Sequence, residues 1–221
     1  MATLLICSAL KTVANFFIQG GVFMFVLVAL SIVTVAVTFL RGKVIQYKKV
    51  IPPEIEAEVE RLTPDDSLDP LLRLAKQYPS PLSNLIVTVI QHRDLGWEKE
   101  ETVEAVQTKA RNEVVKLEKG VLILEISTGI APLLGLLGTL SGLVGVFMNL
   151  GPSGDPVGVA LGIAEALNAT IAGLVIAVVS LIAFNYFSRK VEILAVSMES
   201  ITSDLIAKCY PRLRQNGLTS K

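Results

Sequence analysis

Residues 131–147 read APLLGLLGTLSGLVGVF, a stretch without a single charge. Its glycines stand at 135, 138, 142 and 145, and Thr139 and Ser141 are its only hydroxyls. The stretch lies inside a longer apolar segment, Val121–Leu150, which exceeds the roughly twenty residues that cross a hydrocarbon core of about 30 Å. A second such segment, Val157–Phe187, follows the linker GPSGDP at 151–156. A third, Gly21–Leu40, precedes both and ends at Arg41. Lipid offers no partners to backbone amides, so runs of this length are read as helices. The expected fold is an all-α integral membrane protein with three transmembrane helices and long cytoplasmic helical extensions.

Composition agrees with this. Of 221 residues, 52% are hydrophobic and only 18% charged, with a mean hydropathy of +0.59, which is more apolar than a soluble domain. Formal net charge is zero, so the chain has no electrostatic footprint for nucleic acid. The placement of charge is more informative than its sum. Of the 20 Lys and Arg, 13 fall in 41–120 and six in 188–221, while 149–156 holds none. The positive-inside rule then puts 41–120 and the tail in the cytoplasm, and the N-terminus and the 151–156 turn outside.

The segment boundaries follow. Residues 1–20, with Lys11 and no A-x-A cleavage pattern, read as an amphipathic helix at the periplasmic interface rather than a removed signal peptide. Then come a first span at 21–40, a cytoplasmic helical region at 41–120 and a second span at 121–150. A periplasmic turn at 151–156, a third span at 157–187 and a cytoplasmic C-terminal helix at 188–221 complete the chain. Within the polar region, Pro52 and Pro53 mark a helix start, and Thr63 or Asp65–Asp66 are expected to cap another. Pro79–Pro81 mark a break. The charge-rich helix after Gly96 is expected to run into the second span as one rod. Cys7 and Cys209 have no zinc or CxxC spacing, and His92 has no partner ligand nearby, so no metal site is expected.

The glycines 135, 138, 142 and 145 recur at three, four and three and so share one helix face. Gly162, Ala166, Ala169, Gly173, Ala177 and Ser180 form the corresponding face of the third span. Small residues let helices approach closely where lipid supplies little hydrophobic drive. These faces suit packing on each other, on sister subunits or on a separate partner helix. The polar residues need another account. Glu165 lies roughly 12 Å from the outer end of its span, with Asn168 at i+3 on the same side. Counting inward puts Thr139 about 15 Å deep and Thr170 about 20 Å deep, so the two hydroxyls stand at comparable depth. Two uses suit them: lining a water chain or holding a carboxyl group, and bonding a backbone carbonyl one turn back. The spans hold no Asp, Lys or Arg, and Glu125 lies near the cytoplasmic boundary. A proton path through the spans therefore uses Glu165 or borrows a carboxylate from another chain.

APLLGLLGT at 131–139, followed by GIAEALNATIAGLVIAVVSLIAFNYF at 162–187, resembles the ExbB/TolQ/MotA proton-channel family, and in particular its ExbB/TolQ branch. LEKGVLILEIST at 117–128, IPPEI at 51–55 and PSPL at 79–82 add to the likeness, which covers the chain from about residue 20. The resemblance implies a homo-oligomer, a pentamer of three-span subunits around two copies of an ExbD/TolR-like single-span membrane protein. It also implies a bacterial inner-membrane location and conversion of proton-motive force into mechanical work. On matching positions Thr139 and Thr170 would line the ion route, with Glu165 as the in-membrane acid. One difference stands out: many members carry an aromatic after the threonine, where this chain has GTLSG with Ser141. That extra hydroxyl leaves the choice between proton and sodium open. The alternative reading is a membrane scaffold without ion transport. No nucleophile–base pair, metal cluster or phosphate loop appears, so neither an enzyme nor a cofactor is expected.

Overall fold

A computed structural model describes residues 21–64, 66–148 and 156–210, apart from the side chain of Glu165. The expected interfacial helix at 1–20, the turn at 151–156 short of Pro156, and the tail beyond Tyr210 lie outside the described residues. Every regular element among the described residues is a helix. These are α1 (Gly21–Val44), α2 (Tyr47–Val50), α3 (Pro53–Arg61), α4 (Asp69–Gln77), α5 (Pro81–Asp94), α6 (Lys99–Glu118), α7 (Val121–Met148) and α8 (Pro156–Cys209). Of these, α1, α7 and α8 are long and apolar enough to cross a membrane. The chain divides into a membrane unit, α1 to Arg41 with Gly120–Phe187, and a polar unit, Gly42–Lys119 with the chain from Ser188.

In the membrane unit, Leu27, Ala131 and Ala177 bring the three apolar helices to one point, with Leu30, Leu134, Ala172 and Ile176 around them. Most large apolar residues of α7 and α8, such as Leu133, Leu136, Val175 and Ile182, are exposed, as suits helices whose solvent is lipid or a neighbouring helix. Two buried hydroxyls use the backbone of their own helix: Ser127 donates to the Ile123 carbonyl at 2.8 Å and Ser180 to that of Ile176 at 2.8 Å. Thr34 is buried on α1.

The polar unit folds by ordinary burial. Ile55 and Val59 of α3, Leu71 and Ala75 of α4, and Leu82, Leu85, Ile86 and Val89 of α5 are buried. On α8, Val191, Leu194, Met198, Thr202, Leu205 and Cys209 form one buried stripe at the three-and-four spacing of a helix face. Polar ties are few and specific. Lys208 donates to the Val59 and Glu60 carbonyls at the end of α3, at 2.8 and 3.2 Å, where helix carbonyls lack internal donors. Asn84 of α5 and Lys116 both donate to the buried Glu113 of α6, at 3.1 and 2.8 Å. Thr102 and Tyr210 share a hydrogen bond of 2.9 Å.

Helix ends largely follow sequence chemistry. Pro52 caps α3 and Pro53 opens it. Ser80 caps α5, accepting from the Ser83 amide at 3.1 Å, and Glu98 with Glu101 forms a capping box at α6. Gly96 ends the α5 turn at φ +75°, a left-handed conformation suited to glycine, and lets Trp97 return its amide to the His92 carbonyl. His92 packs on the Trp97 ring, centroids 4.1 Å apart.

Two expectations are corrected. Thr63 and Asp66 do not cap the next helix. The Thr63 amide and hydroxyl both donate to Asp66 Oδ2, at 2.8 and 2.7 Å, closing a turn of their own. These bonds hold the Asp66 carboxyl below its usual value. Leu68 occupies the cap position of α4 without a side-chain bond, and Pro70 suits the first turn. The single rod after Gly96 is also interrupted. Helix α6 stops at Glu118 and α7 starts at Val121. Lys119 keeps helical angles, and the Arg41 guanidinium occupies the place a Cβ on Gly120 would take.

Tyr47 of α2 donates to Glu56 at 3.1 Å. Its phenol is pushed above the ordinary 10.0, first by desolvation and then by that carboxylate. A raised folded value means stability present below pH about 10 and lost as pH climbs through the higher value. Thermal unfolding followed by circular dichroism should therefore show a steeper alkaline loss for the parent protein than for Tyr47→Phe.

Candidate functional site

The two small-residue faces meet each other within one chain. A Cβ on Gly135 would stand 2.9 Å from the Ala169 carbonyl oxygen and 3.0 Å from Thr170 Cα. One on Gly138 would stand 2.6 Å from the Ala169 methyl, and one on Gly142 2.7 Å from that of Ala166. From the other side, a Cβ on Gly173 would press on the Ala131 carbonyl oxygen at 2.5 Å, and one on Gly162 would clash with Val146. Of the three uses open to the stripe, packing of α7 on α8 takes most of it. Gly145 differs: a Cβ there meets nothing within 4 Å.

This close approach lets a short side chain on one helix reach the backbone of the other. Thr170 Oγ1 donates to the Gly135 carbonyl across the interface at 3.0 Å. Thr139 Oγ1 lies 3.2 Å from the Gly135 carbonyl of its own helix and 3.3 Å from the Ala166 carbonyl of α8. The two hydroxyls are also hydrogen-bonded to each other. Both threonines are half-buried. The depth argument holds in that the two hydroxyls stand at one level. The one-turn-back bond also exists for Thr139, and the structure combines it with cross-helix bonds.

The other candidates are placed differently. Ser141 is exposed and stands two residues, roughly 200°, around α7 from Thr139. Asn168 is half-buried and bears the same two-residue relation to Thr170 on α8. Glu165 belongs to α8, but its side chain lies outside the described residues. Ala166 and Ala169 serve as the small surfaces beneath Gly142 and Gly138. Sequence reading missed the carbonyls of Gly135 and Ala166, which complete the cluster. Their signal was indirect: a glycine and an alanine each four residues before a threonine. Among the described residues no group of three or more His, Cys, Asp or Glu could hold a metal ion.

A sequence model of the MotA/TolQ/ExbB proton channel family matches residues 77–200, which include α7 and the part of α8 that carries Thr170. The chain is 33% identical to the putative biopolymer transport protein ExbB-like 1 of Synechocystis, over 76% of this chain and 67% of that protein. It is 28% identical to a putative ExbB homolog of Methanothermobacter thermautotrophicus, over 82% of this chain and 64% of the relative. To the biopolymer transport protein ExbB of Neisseria meningitidis it is 30% identical, over 84% and 89%.

Gly135→Ala should force the helices apart at the backbone and cost about 1–3 kcal/mol, the range for overpacking, whereas Gly145→Ala should be near neutral. Thermal stability of the two variants in detergent, measured side by side, checks this contrast.

Proposed function

The chain belongs to the MotA/TolQ/ExbB proton channel family, and on that premise we propose that it is the multi-span subunit of a proton-driven motor in a bacterial inner membrane. Copies of the chain, a pentamer by family resemblance, surround an ExbD/TolR-like single-span dimer that delivers work to the periplasm or outer membrane. The N-terminus is periplasmic and the C-terminus cytoplasmic, following the distribution of Lys and Arg. The coupling ion is the proton. Membrane lipid is the solvent of the outer helix faces.

The observation that carries this reading is the hydrogen-bonded pair Thr139–Thr170, a polar cluster between two largely apolar helices. Hydroxyls in an apolar span offer a passing proton carrier exchangeable hydrogen bonds without the cost of a fixed charge. Glu165, five residues or roughly 7.5 Å before Thr170 along α8, supplies a titratable group from this chain. A carboxylate on the partner helix supplies the second.

Thr139→Val and Thr170→Val remove the hydroxyls at nearly constant shape. In vesicles reconstituted with the whole complex, each should lower proton uptake about tenfold, the effect of ~1.4 kcal/mol, with subunit composition unchanged. Full uptake by both variants would leave the scaffold reading in place.

A further inference from the structure

Glu125 belongs to the membrane unit and is exposed on α7. The Arg41 guanidinium beside Gly120 marks the charged end of that unit, and Glu125 stands five residues, roughly 7.5 Å, further in. The ordinary uses of a helix glutamate are missing here. It lies beyond the first turn of α7, where the helix-end dipole has faded. Its neighbours at three and four residues are Val121, Leu122, Thr128 and Gly129, none of them basic. Its side chain makes no ion pair or hydrogen bond among the described residues. Helix α1 carries no charge before Arg41, and α8 carries none between Glu165 and Arg189. Charge at such depth is costly and marks ion pathways.

Helical geometry aligns this acid with the threonine pair. Glu125 and Thr139 are 14 residues apart, which leaves about 40° between them around α7 and roughly 21 Å along it. Phe23 of α1 touches α7 at Gly138, about 60° to the other side of Gly135. Glu125 and Thr139 therefore share the flank of α7 opposite the one that Phe23 covers. That flank has polar steps. The half-buried Thr128 donates its hydroxyl proton to the Leu124 carbonyl at 3.0 Å. Pro132, inside the helix, has no N–H to give the Thr128 carbonyl one turn back. That carbonyl has lost its usual donor and, with the hydroxyl oxygen, can accept from water. Gly129 leaves room beside Glu125, since a Cβ there meets nothing within 4 Å.

We propose that Glu125 is the proton-exchange group at the cytoplasmic end of the ion path. The inference rests on the reading of Thr139 and Thr170 as part of that path. A proton carried inward along the flank by water forms an O–H on the Glu125 carboxylate. Water on the cytoplasmic side then takes that proton as hydronium, and the carboxylate is restored. Side chains lean toward the N-terminal end of their helix, which for α7 is the cytoplasmic end in the proposed orientation. The carboxyl group thus reaches toward bulk water while its Cα stays within the span.

The test measures proton uptake into vesicles that hold the whole complex with its cytoplasmic face inward, while the internal pH is varied. Glu125→Gln should lower uptake about tenfold with subunit composition unchanged by native mass spectrometry, and Glu125→Asp should retain most of it. Glu125→His should conduct with its dependence on internal pH displaced upward, since an imidazole ordinarily titrates roughly two units above a glutamate carboxyl. A residue of structural use alone would not move that dependence, so a His variant with the parent's profile overturns the proposal. Parent-like uptake in Glu125→Gln, beside lost uptake in Thr170→Val, would overturn the role of Glu125 and leave the ion path standing. Full uptake in both variants would overturn the path and the inference together. Loss of subunits from the Glu125→Gln complex would make Glu125 an ion-pair partner of another chain and overturn the proton assignment.

Discussion

The contact of two backbones at Gly135 is the constraint on which the membrane unit depends. At that residue α7 and α8 approach so closely that a methyl group would meet a carbonyl and a Cα at about 3 Å. Lipid gives apolar side chains no reason to leave it for one another, so the contact must come from shape and from polar bonds. The same proximity explains both the run of glycines and the placement of the threonines. A hydroxyl side chain is short, and only where the opposite backbone is this near can it bond to a carbonyl across the interface. Moving the helices apart by the width of one methyl would end the packing and the polar cluster together.

The polar unit obeys a different balance. Its stripe on α8, from Val191 to Cys209, and the buried residues of α3, α4 and α5 are drawn together by removal of apolar surface from water. One helix, α8, serves both regimes over 54 residues, about 80 Å. Along it the buried residues change in kind. Alanine, glycine and serine occupy the buried positions up to Ala183, and phenylalanine, valine, leucine and methionine take over from Phe187. The change marks where close helix packing gives way to burial from water.

Much of this was readable in order along the chain. Three apolar runs announced three spans, and the three–four spacing of small residues announced a packing face. Depth counting brought Thr139 and Thr170 to one level because helix rise is constant. Local capping was less secure. Thr63 and Asp66 had the right side chains for a cap, but their mutual hydrogen bonds closed a turn ahead of α4 instead. At the interruption after Glu118, the side chain of Arg41, some eighty residues away in sequence, fills the space beside Gly120. Neither a propensity nor a period contains that information.

The sequence by itself determined that the chain crosses a membrane three times, because the length and apolarity of a span are properties of a single helix in lipid. It also determined which faces of the second and third spans are smooth, since helical period alone puts Gly135, Gly138 and Gly142 together. Which surface those faces meet was decided only by tertiary structure. So was the hydrogen bonding of the threonine pair, because it depends on two carbonyls from opposite helices lying within reach of the same two hydroxyls. A backbone carbonyl has no signature in sequence, and its availability is a matter of distance.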